Sequence, residues 1–164
     1  MVLTRLSLII ILFFSASSGL LAQLNDENAL NGVKIGKVLF DINIADNPNK
    51  LKLYLNVIRK TQIDLVRQNV KPDIVLAFRG KSVLLVSTKR NDDLDLDLEA
   101  DLDDVANIIK ELQKLGIKME ACGIAMELFK MQPSHLISGI KAVGNTFISI
   151  TGYHAQGYAL IPIY

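Results

Sequence analysis

Short apolar runs alternate with amphipathic stretches along most of the chain. Residues 33–45 and 74–78 are rich in β-branched and aliphatic side chains and contain continuous apolar runs. Such runs are typical of strands that are buried on both faces of a sheet. Between them, apolar residues recur at helical spacing over residues 51–68, which predicts an amphipathic helix. Asn47 and Pro48 precede this helix and fit its N-cap and its first helical position.

The alternation of strand and helix continues to the end of the chain. Residues 83–86 predict either a short helix or a short strand, and residues 105–115 carry a second helical stripe. Further elements follow as a strand at residues 116–123, a helix at 124–131, a turn of helix at 134–137, a strand at 140–143, a helix capped by Asn145 or Thr146, and a last strand at 158–162. We therefore predict an α/β fold, a three-layer sandwich in which a mainly parallel sheet of about five strands has helices on both faces.

Length and charge narrow the class of protein. The 164 residues suffice for one compact domain, which we place at residues 33–164 behind a flexible lead-in at residues 23–32. The formal net charge of +1 is too small for a basic surface that would bind nucleic acid by releasing counterions. The single cysteine excludes an intrachain disulfide framework, and no CxxC pair offers a redox or metal motif.

Residues 1–22 have the layout of a secretory signal peptide. Arg5 gives a positive start, a short apolar run follows, and small residues close the segment. Ala22 or Gly19 would be the last residue before cleavage. The apolar run is shorter than the roughly 20 residues of a membrane span, and the alternative is an uncleaved anchor helix. We therefore expect a periplasmic or secreted protein without a membrane span in its mature form.

Two motifs resemble ligand-binding loops but lack their required residues. Gly80, Lys81 and Ser82 would end a phosphate loop, but that loop needs a glycine where this chain has Val75. The acidic run at residues 92–104 lacks the glycine and the glutamate of a calcium-binding EF-hand loop. We interpret it as a solvated acidic loop and predict neither a metal nor a cofactor; a calcium-responsive adhesion domain is the alternative.

The single cysteine, Cys122, comes at the end of the strand predicted at residues 116–123. In open α/β sheets, ligands and reactive groups gather at the carboxyl ends of the strands. A reactive cysteine is a thiolate, which a helix N-terminus or a nearby Lys or Arg favours. Arg79 and Lys81 supply such charge if their strand is a neighbour, and Gly123 lets the backbone approach a ligand closely. We therefore predict Cys122 as the catalytic residue and Gly123, Arg79 and Lys81 as ligand-binding residues. The alternative is a buried, inert cysteine that packs as a small hydrophobe.

The C-terminal third carries an ordered set of short motifs. They are the strand ending in Ala121, Cys122 and Gly123, then Met131-Gln132-Pro133, then Gly139-Ile140-Lys141-Ala142-Val143, and finally Gln156-Gly157-Tyr158-Ala159-Leu160-Ile161-Pro162. In order and spacing the chain resembles the DsrE/DsrF-like family of sulfur-relay proteins over residues 34–164. Relatives often carry His-Gly at the end of the second strand, where this chain has Arg79 and Gly80.

The resemblance implies a DsrEFH-like α/β sandwich that assembles as homotrimers or hexamers. It also implies that Cys122 accepts sulfane sulfur as a persulfide and passes it on, so that donor or acceptor proteins are its partners. The relay members follow this cysteine with an arginine-rich segment, whereas residues 124–129 here are apolar with one acid. Two hypotheses follow: an exported, sulfurtransferase-like sulfur carrier, or a non-catalytic oligomeric module of the same fold that binds a small ligand or a partner.

Overall fold

The computed structural model describes residues 25–45, 47–89 and 99–164. The predicted signal peptide and residues 92–98 of the acidic run lie outside these described residues. Within the described part, no helix combines the length and the apolar character that crossing a membrane requires.

Five strands form one sheet in which every pairing is parallel. The strands are β1 (Ile35–Ile42), β2 (Lys71–Phe78), β3 (Lys118–Cys122), β4 (Ile140–Val143) and β5 (Ala159–Ile163). Their spatial order is β4-β3-β2-β1-β5, so β4 and β5 form the edges. The sheet confirms the predicted α/β class and the predicted parallel arrangement.

In the described part of the chain, six helices connect and flank the strands. They are α1 (Glu27–Leu30), α2 (Pro48–Arg67), α3 (Ser82–Leu85), α4 (Glu99–Lys114), α5 (Gly123–Leu128) and α6 (Thr146–Ala155), with a 3-10 turn at Pro133–His135. The predicted cap of α2 is confirmed, because the Asn47 side chain accepts a hydrogen bond from the Lys50 amide at 2.8 Å. Of residues 83–86, which fitted either a helix or a strand, Val83 to Leu85 lie in α3 and Val86 is its C-cap.

Residues of each central strand alternate between two unequal cores. On one face, α2 and α4 cover a large apolar core that includes Ile74, Leu76 and Phe78 of β2. On the other face, α6 covers a small cluster of Leu39, Val75, Ala77 and Tyr158. This alternation follows from the two-residue period of a strand. The predicted placement of helices on both faces is confirmed.

The predicted start of the second strand, at residue 74, is wrong, because β2 begins at Lys71 and includes Pro72. The Lys71 amide donates toward β1, so the nitrogen of Pro72 faces the side of β3. There, pairing begins only at Val75 and Lys118. A proline is therefore tolerated in β2, because its missing N–H has no strand to meet at that level.

Candidate functional site

The thiol of Cys122 lies at the carboxyl end of β3, as the sequence predicted, and is the last side chain of that strand. It is free and buried, with 6% of the residue exposed. The chain turns directly into α5 at Gly123. The sulfur therefore sits at the start of one helix and at the rim of a parallel sheet, where ligands gather in open α/β folds.

Donor groups from two helix starts surround the sulfur. Burial is the largest single influence and raises the pKa of Cys122. Against it act the hydroxyl and the backbone N–H of Thr146, which begins α6, and the N–H groups of Ala125 and Ile124 in the first turn of α5. Together they bring the pKa of Cys122 below its ordinary value. Unpaired N–H groups at helix starts favour negative charge, so this environment favours a thiolate.

The start of α6 is fixed over the sheet by its cap. The Asn145 side chain accepts a hydrogen bond from the Phe147 amide at 2.9 Å, which decides the cap between the two predicted candidates. Thr146 is consequently the first helical residue and is 1% exposed. Its hydroxyl oxygen has no hydrogen-bond partner of normal geometry among the described residues, although it lies close enough to the sulfur to lower the pKa of Cys122.

At Gly123 the turn after β3 lies close against the end of β4 and the turn that follows it. A Cβ atom at this position would lie 2.7 Å from the carbonyl oxygen of Val143 and 3.1 Å from that of Gly144. The absence of a side chain therefore brings the β4 backbone against the residue that follows the cysteine. The group that lies close to Gly123 in the fold is therefore protein backbone. A direct role of Gly123 in ligand binding stays a prediction.

Arg79 lies beside the cysteine in register. Phe78 pairs with Ala121, so the next residues, Arg79 and Cys122, come at the same level of neighbouring strands. The predicted proximity of the two strand ends is confirmed.

The charge of Arg79 is balanced within the sheet. Its guanidinium makes two hydrogen bonds to Asp41, at 2.6 and 3.0 Å, and these bonds are the main reason that the pKa of Arg79 is raised. The guanidinium also lies 5.7 Å from the ring centre of Phe147 and 5.8 Å from that of Tyr164. Because Asp41 is buried, this pair acts first as a structural clamp between β1 and β2. The largest influences that lower the pKa of Cys122 come from the helix starts.

Lys81, the third predicted ligand-binding residue, is exposed in the turn before α3. The ligand-binding roles of Lys81 and Arg79 stay predictions.

A hydrogen-bonded tyrosine lies on the same sheet face as the cysteine. The Tyr153 hydroxyl of α6 donates to Oε1 of Glu120 at 2.9 Å, and Glu120 is two residues before Cys122 on β3. The other carboxylate oxygen, Oε2, is buried without a hydrogen-bond partner in the described chain. Burial first, and Glu120 second, raise the pKa of Tyr153 to about 12. Tyr153 also packs edge-to-face against Tyr158, with ring centres 5.0 Å apart.

Sequence reasoning missed Thr146, Asp41 and Glu120 as parts of this site. Their only signal was position, since each lies at or near the carboxyl end of a strand or at the start of the helix that crosses those ends. Among the residues that the structure describes, no group of three or more His, Cys, Asp or Glu side chains could hold a metal ion.

Comparison with known proteins adds a family and a fold. The sequence model of the DsrE/DsrF-like family matches residues 37–163. The structure is similar to that of a protein of unknown function, MTH1491 from Methanobacterium thermoautotrophicum, with a TM-score of 0.62 and 18% identity over 78% of this chain and 99% of that one. It is also similar to the YchN protein from E. coli, with a TM-score of 0.52 and 11% identity over 79% of this chain and 100% of that one. No curated protein sequence matches the chain.

Proposed function

The chain belongs to the DsrE/DsrF-like family, and on that premise we propose that it is an exported sulfur carrier that holds sulfane sulfur as a persulfide on Cys122. The observation that carries this proposal is the environment of the sulfur. Burial alone would raise the pKa of this thiol. Three backbone N–H groups and one hydroxyl from two helix starts lower that pKa below its ordinary value. A structural cysteine packed as a small hydrophobe needs no such donors.

The transfer chemistry needs only a thiolate and a donor persulfide. The Cys122 thiolate attacks the outer sulfur of the donor, a new S–S bond forms, and the donor's own S–S bond breaks. The electron pair of that bond leaves with the donor thiolate, so no external oxidant or reductant is consumed. In the return step an acceptor thiolate attacks the outer sulfur, and Cys122 leaves as a thiolate. A lower thiol pKa speeds this departure.

The test is the intact mass of the mature protein after incubation with inorganic polysulfide. The chain has one cysteine, so sulfur held as a persulfide adds the mass of one sulfur atom, removable by dithiothreitol. Cys122→Ser should gain nothing under the same conditions while keeping the melting temperature of the parent within a few degrees. If the parent gains no mass, the non-catalytic binding module remains and the carrier is excluded.

Export belongs to the proposal because of the layout of residues 1–22. The mature N-terminus recovered after expression in a bacterial host is the direct check. A protein that begins at Gln23 or Leu20 supports cleavage. A protein that still begins with Met1 and stays in the membrane fraction supports the anchor helix.

The active form proposed here is a homo-oligomer, a trimer or a hexamer. Exposed apolar side chains lie on α5, α6 and β5 and at the residue after β5; they include Ile124, Leu128, Phe147, Ile148, Leu160, Ile161 and Tyr164. The sequence of α6 carries no Asp, Glu, Lys or Arg. We take these exposed apolar side chains as a protein–protein contact surface, and a second copy of the chain is the occupant that the family resemblance implies.

Light scattering of the purified protein tests the assembly. Ile148→Glu, which places a charge on the exposed face of α6, should reduce the mass to that of a monomer. Leu53→Glu, at a comparably exposed apolar position on α2, is the matched control and should leave the mass unchanged. A monomeric parent protein would contradict the assembly.

A further inference from the structure

The Thr146 hydroxyl is a buried polar group without a well-formed hydrogen bond in the described part of the chain. The residue is 1% exposed, and its Oγ1 has no hydrogen-bond partner among the described residues. Buried polar side-chain atoms are nearly always hydrogen-bonded, and exceptions mark strain, catalysis or a missing ligand. The exception here lies at the first position of α6, next to the Cys122 sulfur.

The charge on the sulfur decides whether this hydroxyl is satisfied. A neutral thiol is a weak acceptor, whereas a thiolate is an anionic one, and hydrogen bonds to ions are roughly twice as strong as neutral ones. A hydroxyl that finds no good acceptor while the sulfur is protonated therefore gains one when the proton leaves. The backbone N–H of the same residue also lies near the sulfur, so α6 presents two donors at one point.

We infer that Thr146 is a second catalytic residue, whose hydroxyl donates a hydrogen bond to the Cys122 sulfur only while that sulfur is anionic. The inference rests on the proposed function and assigns the hydroxyl to the step in which Cys122 gives up the outer sulfur. The electron pair arrives on this sulfur when the acceptor takes the outer sulfur atom, so the donor acts mainly on sulfur release. The hydroxyl keeps its proton throughout, and no other bond is made or broken.

Few charges compete with this donor. Arg79, directly after β2, lies at the level of the sulfur but is paired with Asp41 of β1. Glu120 on β3 is held by Tyr153 of α6. The first turns of α5 and α6 contain no acidic residue, and Lys141 of β4 is exposed. A change at Thr146 should therefore be visible against a constant electrostatic background.

The chain offers a matched set of variants for the test. Thr146→Val keeps the shape and removes the hydroxyl, and Thr146→Ser keeps the hydroxyl. Thr151→Val makes the same change at an exposed position of the same helix, where the hydroxyl already donates to the Phe147 carbonyl.

Thiolate ultraviolet absorbance against pH measures the charge state without any reagent entering the site. The titration midpoint of Thr146→Val should rise by about one pH unit, a tenfold loss of thiolate at a fixed pH below the midpoint. Thr146→Ser and Thr151→Val should keep the parent midpoint. Persulfide-loaded Thr146→Val should also pass its sulfur to a small acceptor thiol several-fold more slowly than the parent.

Stability separates a catalytic hydroxyl from a structural one. Removing an unpaired buried hydroxyl relieves its desolvation cost, so Thr146→Val should melt at or above the parent temperature. An unchanged titration midpoint in Thr146→Val would overturn the inference. If the melting temperature also falls, the hydroxyl has a structural role instead. The proposed function fails independently, if the parent protein takes up no sulfur, since the midpoints are measured without sulfur.

Discussion

The two faces of the sheet are built from the same strands but differ in what they hold. Beneath α2 and α4, alternate residues such as Leu76 and Phe78 are fully buried in one large apolar core. The face beneath α6 instead holds polar residues at or near the strand ends. Asp41 pairs with Arg79, and Glu120 pairs with Tyr153 of α6. Only a small apolar cluster lies between them.

This difference separates stability from chemistry within single strands. Because side chains alternate, a strand can donate every second residue to the core and keep the others for polar contacts. On the α6 face, each polar group needs a partner, since a buried unpaired group is costly. Among the described residues, the buried side-chain atoms without a partner are the Thr146 hydroxyl and the second oxygen of Glu120. Both belong to residues at or near the cysteine, where function compensates such a cost.

The strongest test of the comparison truncates one leucine on each face. Leu76→Ala removes a fully buried side chain from the large core and should lower the free energy of unfolding by about 4 kcal/mol. Leu160→Ala, on the α6 side of β5 and 43% exposed, should cost less than about 1 kcal/mol. Urea unfolding followed by circular dichroism measures both. Equal losses in the free energy of unfolding would show that apolar packing on the α6 face contributes as much to stability as the large core.

The next test concerns the turn that carries the cysteine. Gly123→Ala places a Cβ against two backbone carbonyls and should cost about 3 kcal/mol, at the upper end of overpacking. Gly144→Ala is the neighbouring control, because a Cβ there meets nothing within 4 Å. Thermal unfolding of both variants checks the expectation. If Gly123→Ala is as stable as the parent and the reactivity of Cys122 is unchanged, the close packing at Gly123 does not hold the cysteine in place.

The ion pair of the α6 face should matter less than the core but more than surface pairs. Asp41→Asn leaves the Arg79 charge without its partner and should destabilise by about 2 kcal/mol, below the roughly 3–5 kcal/mol of a fully buried pair because Arg79 is partly exposed. Asp64→Asn, which breaks exposed pairs within α2, should change the denaturant midpoint very little. If the two variants behave alike, Asp41 and Arg79 do not clamp the strands.

The smallest effect is expected at Tyr153. Tyr153→Phe removes the hydroxyl that donates to Glu120 and should cost about 1 kcal/mol at neutral pH.

The pH dependence gives this variant its own signature. The pKa of Tyr153 is raised to about 12 in the fold, whereas an unfolded tyrosine titrates near 10. The folded state therefore binds more protons between these values, and stability present below pH 10 falls as the pH rises toward 12. The variant should lose part of this alkaline decline. An unchanged decline, measured by urea unfolding at several pH values, would place its origin elsewhere.

Sequence patterns predicted the fold well because the signals are local. Apolar runs mark the buried strands, and the pair of Asn47 and Pro48 marks the start of α2. Cys122 was placed at a strand's carboxyl end because its strand follows a helix and precedes a glycine. The start of β2 at Lys71 was not predicted, because a strand tolerates Pro72 only where no neighbouring strand needs its missing N–H.

The surroundings of the cysteine could not be predicted in the same way. The contact of Arg79 with Asp41 depends on the register that sets Asp41 opposite Ala77, and periodicity does not specify register between strands far apart in sequence. The position of Thr146 depends on how α6 crosses the sheet. The two predicted cap residues, Asn145 and Thr146, could be told apart only once that helix was placed.

The reactivity of Cys122 in folded and unfolded protein tests the central claim most directly. Alkylation by a small reagent is followed against pH in buffer and in urea, and the midpoint of each rate profile gives the pH at which the thiolate forms. We predict a lower midpoint in the folded protein, because the helix starts lower the pKa of Cys122. A folded midpoint equal to or above the unfolded one would show that burial prevails and that the sulfur is an inert part of the core.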